Sequence, residues 1–186
     1  MHDPIALIII DMQNAMRSDQ LPPRNNPAAE DNLARLQAAW RDAGNPLVFV
    51  RHISRSPTSL FAPGQPGAAF QDRFIPQARE HIVEKNVPDA FIDTGLERWL
   101  HARVIRRLVI AGVSTNNSVE GTARSAGNLG FDVVVASDAC FTFDKQDFSG
   151  TLRSAEDVHL MALANLHGEY AEVHSTDAVL DMLRIA

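Results

Sequence analysis

One stretch, Arg106–Gly130 (RRLVIAGVSTNNSVEGTARSAGNLG), limits the folds open to this chain more than any other. Leu108 to Ala111 is a short apolar run of the kind shown by a strand covered on both faces. Gly112 follows, where the backbone turns without a Cβ clash. Thr115, Asn116 and Asn117 offer capping oxygens, and Asn117 stands three residues ahead of Glu120, the spacing of a capping box. Val119, Ala123 and Ala126 recur at helical spacing, and Gly130 is placed to end the helix as its C′ residue. The reading is strand, tight turn, helix. Such a unit leaves backbone N–H groups unspent at the strand's carboxyl end, beside a helix N-terminus, where an anion or a developing oxyanion is stabilised. Ser118 falls in the first turn of that helix, the place of a nucleophile. The same letters also describe an ordinary strand–helix connection whose Ser and Asn only cap.

The rest of the chain repeats the alternation. Ile5–Ile10 is a continuous apolar run, as in a central parallel strand, and Asp11 comes directly after it, where open α/β sheets place their sites. Asp is equally a plain turn residue. Arg17 to Pro27 carries three prolines and reads as a loop; Leu33, Leu36, Ala39 and Trp40 then make one helical face that ends at Gly44. Pro46–Val50 is a second strand. Arg51 to Ile75 has no apolar period, and a loop this long reads as a lid or binding loop, given positive charge by Arg51, His52, Arg55 and Arg73. His81–Glu84 is a short strand with Lys85 at its end, followed by a helix over Gly95–Ala102. Phe131–Ala136 is a fifth strand with Cys140 beyond it, and Phe141–Thr151 is a polar loop. Ser154 and Asp157 form a capping box for a helix that ends at Gly168. Tyr170–Val173 and Thr176–Ile185 complete the pattern as strand and helix. The expected architecture is a single-domain α/β three-layer sandwich over residues 1–186. Its mostly parallel six-stranded sheet takes the order 3-2-1-4-5-6, with helices on both faces. In that order the ends of strands 1, 3 and 4 share one crevice only if the loop after strand 3 reaches back.

Charge and composition exclude several partners. Seventeen basic against 23 acidic residues, with no long basic run, argue against nucleic acid. No apolar stretch approaches the roughly eighteen residues that span a bilayer, and no basic segment precedes the first apolar run, so membrane and leader are not expected. One cysteine permits no intrachain disulfide and fits a reducing cytoplasm.

Asp11, Lys85 and Ser118 thus share one position type, and here the chain resembles the isochorismatase-like hydrolases, or cysteine hydrolases, which include nicotinamidases. The matching pieces are IIIDMQN at 8–14, EKN at 84–86 and GVSTNNSVEGTARSAGNLGF at 112–131, and the resemblance runs from residue 5 to about 175. It implies Asp11 as general acid/base, Lys85 as the family's lysine, and a non-proline cis peptide at Val113–Ser114. The Ser114 and Ser118 N–H groups then form an oxyanion hole. Gln13, His52 and Thr115 are the candidate substrate contacts. The implied partner is a small-molecule substrate, with no cofactor.

The family amidases carry Cys where this chain has Ser118, whose hydroxyl is far less acidic than a thiol. Three readings stay open: hydrolysis of an enol ether with Asp11 as acid and no covalent nucleophile; Ser118 as a weak or specially activated nucleophile; or an exchange of Cys for Ser that traps ligand. The coherent TNNSVE context favours a natural Ser. A silent small-molecule-binding or scaffold protein is the alternative outside enzymes. Cys140 reads as a packing residue. No second His accompanies His52, so no metal site is expected, and His159 and His167 read as surface or packing residues away from the loops. Family members associate, and Phe61, Phe70 and Phe74 have no evident core role. A homo-oligomer with the loop from His52 to Ile75 at the subunit contact is therefore expected.

Overall fold

In the computed structural model, which describes residues 4–185, strand β1 (Ile5–Ile10) is buried at every position. Its six apolar side chains explain this: both faces of a central parallel strand are covered by helices. β2 (Leu47–His52) lies on one side and β4 (Arg107–Val113) on the other, both parallel to it, in register Leu7 with Leu47 and Leu7 with Val109. β3 (His81–Lys85) pairs with β2, β5 (Asp132–Phe141) with β4, and β8 (Glu172–His174) with β5, all parallel. The order is β3-β2-β1-β4-β5-β8. This is the expected arrangement, because the additional strands β6 (Lys145–Gln146) and β7 (Leu152–Arg153) form a separate hairpin.

The helices are α1 (Ala29–Asp42), α2 (Leu96–His101), α3 (Glu120–Asn128), α4 (Ala155–Leu166) and α5 (Thr176–Ile185). α1 buries Leu33, Leu36 and Trp40, and the Trp40 Nε1–H donates to the Ile5 carbonyl at 2.8 Å. Ser154 caps α4 by accepting the Asp157 N–H at 3.1 Å. Among the described residues, no helix is long and apolar enough to cross a membrane.

Five local expectations are corrected. Arg51 and His52 belong to β2, not to the loop after it. β5 runs five residues past Ala136, because its pairing with β4 jumps from Ile110–Val135 to Gly112–Cys140 through a bulge that accommodates the polar Ser137 and Asp138. The 141–151 segment contains β6, and the last strand begins at Glu172. Phe74 is fully buried in the core, and Phe70 packs edge-on against Phe49 at 6.1 Å, so both have roles inside the chain.

Candidate active site

Three parallel strands deliver the site. Asp11 follows β1 in a left-handed turn (φ 50°), a conformation Asp tolerates better than most residues. Its own N–H still reaches the Val50 carbonyl at 2.9 Å, which ties the turn to β2. Lys85 is the last residue of β3, two strands away, and its Nζ donates to Asp11 Oδ2 at 2.7 Å. The long lysine side chain spans the end of β2, so the backbone after β3 need not reach back as the sequence reading required. The same Nζ donates to Ser118 Oγ at 3.2 Å. All three residues are buried, with Asp11 and Lys85 only 1% and 2% exposed. Burial pushes the Asp11 carboxyl above its ordinary range, against the pull of the Lys85 charge. Among the described residues, Asp11 Oδ1 is buried with no hydrogen-bond partner.

Ser118 lies on a five-residue π-helical turn, Thr115–Val119, that leads into α3. The Asn117 and Val119 N–H groups both return to the Ser114 carbonyl at 3.1 Å. No side-chain cap forms there, so the expected Asn117–Glu120 capping box is replaced by this wider turn. The Val113–Ser114 peptide is cis. Among the described residues, the Ser114 amide, which lies outside the helical turn, has no backbone acceptor. Gly112 (φ 127°) lets β4 pass β1 closely: a Cβ at this position would lie 2.2 Å from the Ile10 carbonyl oxygen.

The neighbouring side chains divide into positioning and boundary groups. Gln13 donates through Nε2 to the carbonyls of His52 (2.9 Å) and Ala68 (2.8 Å), and its Oε1 accepts the His52 N–H at 2.8 Å. Its amide is therefore a clamp that holds the loop after β2 against β1, with both N–H groups and the oxygen occupied. His52 is half-buried and edge-on to Phe61 at 5.7 Å; burial and the Lys85 charge hold its imidazole below the ordinary histidine range. Thr115 is fully buried, and its Oγ1 lies 2.8 Å from Nδ1 of His159. His159 is thus not remote from the loops: it is 3% exposed and braces the turn that carries Ser118. Its signal was present, because it falls on the stripe Ala155, His159, Ala162, Leu166 that α4 buries. Asn26 supports the same region, donating to the Ser137 and Cys140 carbonyls of the β5 bulge. His167 caps the far end of α4 and is exposed. Among the described residues, no group of three or more His, Cys, Asp or Glu gathers as for a metal ion.

The Isochorismatase domain profile matches residues 5–178. The chain belongs to the isochorismatase family. Its members are hydrolases, and this chain is a hydrolase of that family. It is 37% identical over 181 residues to the isochorismatase family protein YrdC of Bacillus subtilis, covering 97% of both chains. The crystal structure of an isochorismatase-family protein from Chromobacterium violaceum superposes with a TM-score of 0.95 at 49% identity, covering 99% of this chain and 95% of that one. Nicotinamidase 3 of Arabidopsis thaliana is 31% identical over 160 residues, 79% of this chain and 78% of its own.

Proposed function

We propose that this isochorismatase-family hydrolase cleaves an amide C–N bond of a small molecule, with Asp11, Lys85 and Ser118 as the reacting group. The carrying observation is the single Lys85 Nζ that donates to both Asp11 Oδ2 and Ser118 Oγ, beside a Ser114 amide with no backbone acceptor among the described residues. A free backbone donor at the start of that turn suits a carbonyl oxygen that gains negative charge. An amidohydrolase among the relatives, nicotinamidase 3, supports the same bond class.

In this reading the Ser118 oxygen attacks the carbonyl carbon and its proton passes to Asp11. Collapse breaks the C–N bond, and Asp11 returns the proton to the departing amine. Water then repeats the exchange in reverse, and the acid leaves. Burial raises the Asp11 carboxyl, which makes its anion a stronger base than a solvated aspartate and narrows the gap to a serine hydroxyl. Lys85 holds charge beside both oxygens. Mass spectrometry of the chain mixed with simple amides tests it. A transient acyl mass on Ser118, lost in Ser118→Ala together with turnover, is expected, and Ser118→Cys should raise turnover. Full activity in Ser118→Ala would remove Ser118 as nucleophile.

A second reading rests on the elevated carboxyl and free Oδ1 of Asp11, which also suit a proton donor to an enol ether. There Ser118→Ala keeps most activity and Asp11→Asn abolishes it.

A further inference from the structure

Lys85 and Ser118 touch through their side-chain tips, yet they belong to distant parts of the sheet. Lys85 ends β3, Ser118 lies just past β4, and β2 and β1 stand between those strands. Three strand intervals span roughly 14 Å, so a small change of sheet twist accumulates across them. The sheet alone is a loose ruler for a contact of 3.2 Å.

A second path joins the two residues outside the sheet. Four residues beyond Lys85, Asp89 Oδ2 accepts the Ser125 hydroxyl. Next to it, the Ala90 N–H donates to Thr122 Oγ1 at 3.1 Å. Thr122 and Ser125 stand three apart on α3 and so share one helix face, and Thr122 is four residues past Ser118. The backbones run close here: a Cβ at Gly121 would sit 3.9 Å from the Asp89 Cα. Both anchor points on the loop are themselves fixed. Asp89 Oδ1 accepts the Phe91 N–H at 2.8 Å, and the Ala90 carbonyl accepts the Thr94 hydroxyl at 2.6 Å. Ala90 and Thr122 are fully buried, where a hydroxyl is costly unless it is bonded.

We propose that Thr122 and Ser125 are positioning residues for the reaction. By tying the loop after Lys85 to the helix after Ser118, they set the distance between the Lys85 ammonium and the nucleophile position. The tie closes a short circuit, four residues on each side, that bypasses the strands between. This rests on the reading of Lys85 and Ser118 as parts of one reacting group.

Alkylation kinetics of Ser118→Cys against pH test the tie without relying on turnover. A thiol beside the Lys85 ammonium ionises below the ordinary cysteine pKa of about 8.5, and that depression reports how near the charge lies. Cys140 is fully buried and does not compete for the reagent. Adding Thr122→Val and Ser125→Ala should raise the thiol's pKa by about one unit, with unchanged circular dichroism. If that combination does not fold, Ser125→Ala alone, at a half-buried position, should still raise it measurably. Thr122→Ser with Ser125→Thr keeps both hydroxyls and should restore the parent value. Thr176→Val removes a buried hydroxyl outside the tie, one bonded to Asp138 at 2.7 Å, and should not move it. With Ser118 intact, the Thr122→Val and Ser125→Ala pair should lower kcat while KM holds. A parent thiol at the ordinary cysteine value, a pKa unmoved by loss of the tie, or an equal rise in Thr176→Val overturns the proposal. Full activity in Ser118→Ala would instead sink the nucleophile reading and leave the thiol measurement standing.

Discussion

Lys85 crosses the end of β2 to put its Nζ 2.7 Å from Asp11 Oδ2, with both side chains almost wholly removed from solvent. A buried pair of this kind is weak as a source of stability but costly to break, since the survivor stays desolvated. Lys85→Met should therefore cost about 3–5 kcal/mol at neutral pH by denaturant unfolding. The loss should shrink in acid, where Asp11 takes up a proton, and activity should be lost at every pH.

The elevated Asp11 carboxyl sets a pH dependence with a definite sign. Its folded pKa lies above that of the unfolded chain, so the folded state holds this proton more tightly. The group's contribution to stability is complete below the ordinary carboxylate pKa, about 4, and is lost as pH rises through the folded value. If Asp11 acts as base, kcat/KM climbs through that same pKa; if it acts as the acid of an enol-ether hydrolysis, kcat/KM falls through it. A pH–rate profile read beside Asp11→Asn distinguishes the two.

Thr115 and His159 brace the Ser118 turn from behind. Thr115→Val removes the partner of a buried imidazole nitrogen and should cost about 1–3 kcal/mol in stability. A role in supporting the turn predicts that kcat falls more than KM changes, whereas a rise in KM alone would return Thr115 to substrate binding. Thr115→Ser, which keeps the hydroxyl, should recover most of the rate.

Gly112 tolerates no side chain. Alanine there would bring Cβ to 2.2 Å from the Ile10 carbonyl at a φ of 127°. Gly112→Ala should lose about 3 kcal/mol or more, or fail to accumulate as soluble protein. Gly130→Ala, with no atom within 4 Å of the added carbon, should lose much less despite its φ of 85°.

Gln13 fastens the loop after β2 through three hydrogen bonds. Gln13→Leu strands two carbonyls and one N–H and should cost about 2–3 kcal/mol. Limited proteolysis should then cut between His52 and Ile75 well before the rest of the domain.

The strand order and the chain of Asp11, Lys85 and Ser118 were legible because each depends on local pattern: apolar runs for β1 and β4, and polar residues just past them. The ends of β5 were not. Ser137 and Asp138 break its apolar run, and only pairing across the Gly112 bulge carries the strand on to Phe141. The reach of Lys85 depends on strand spacing and side-chain length together, and no stretch of letters contains both. Gln13 was expected as a substrate contact; that its amide is matched to carbonyls 39 and 55 residues away is a pairing no local stretch of sequence could show. The exposed Phe148 was hidden by reading 141–151 as an undifferentiated loop, when Asp147 and Gly150 fold it into a hairpin tip.

Cys140, the chain's one cysteine, is fully buried opposite Gly112, and burial pushes its thiol up to about 12. In the folded protein it is therefore neither ionised nor accessible, and alkylating reagents or peroxide should leave this thiol untouched. Cys140 thereby becomes a built-in clock for unfolding. Its rate of modification reports how often the centre of the sheet opens to water, with no label and no engineered residue.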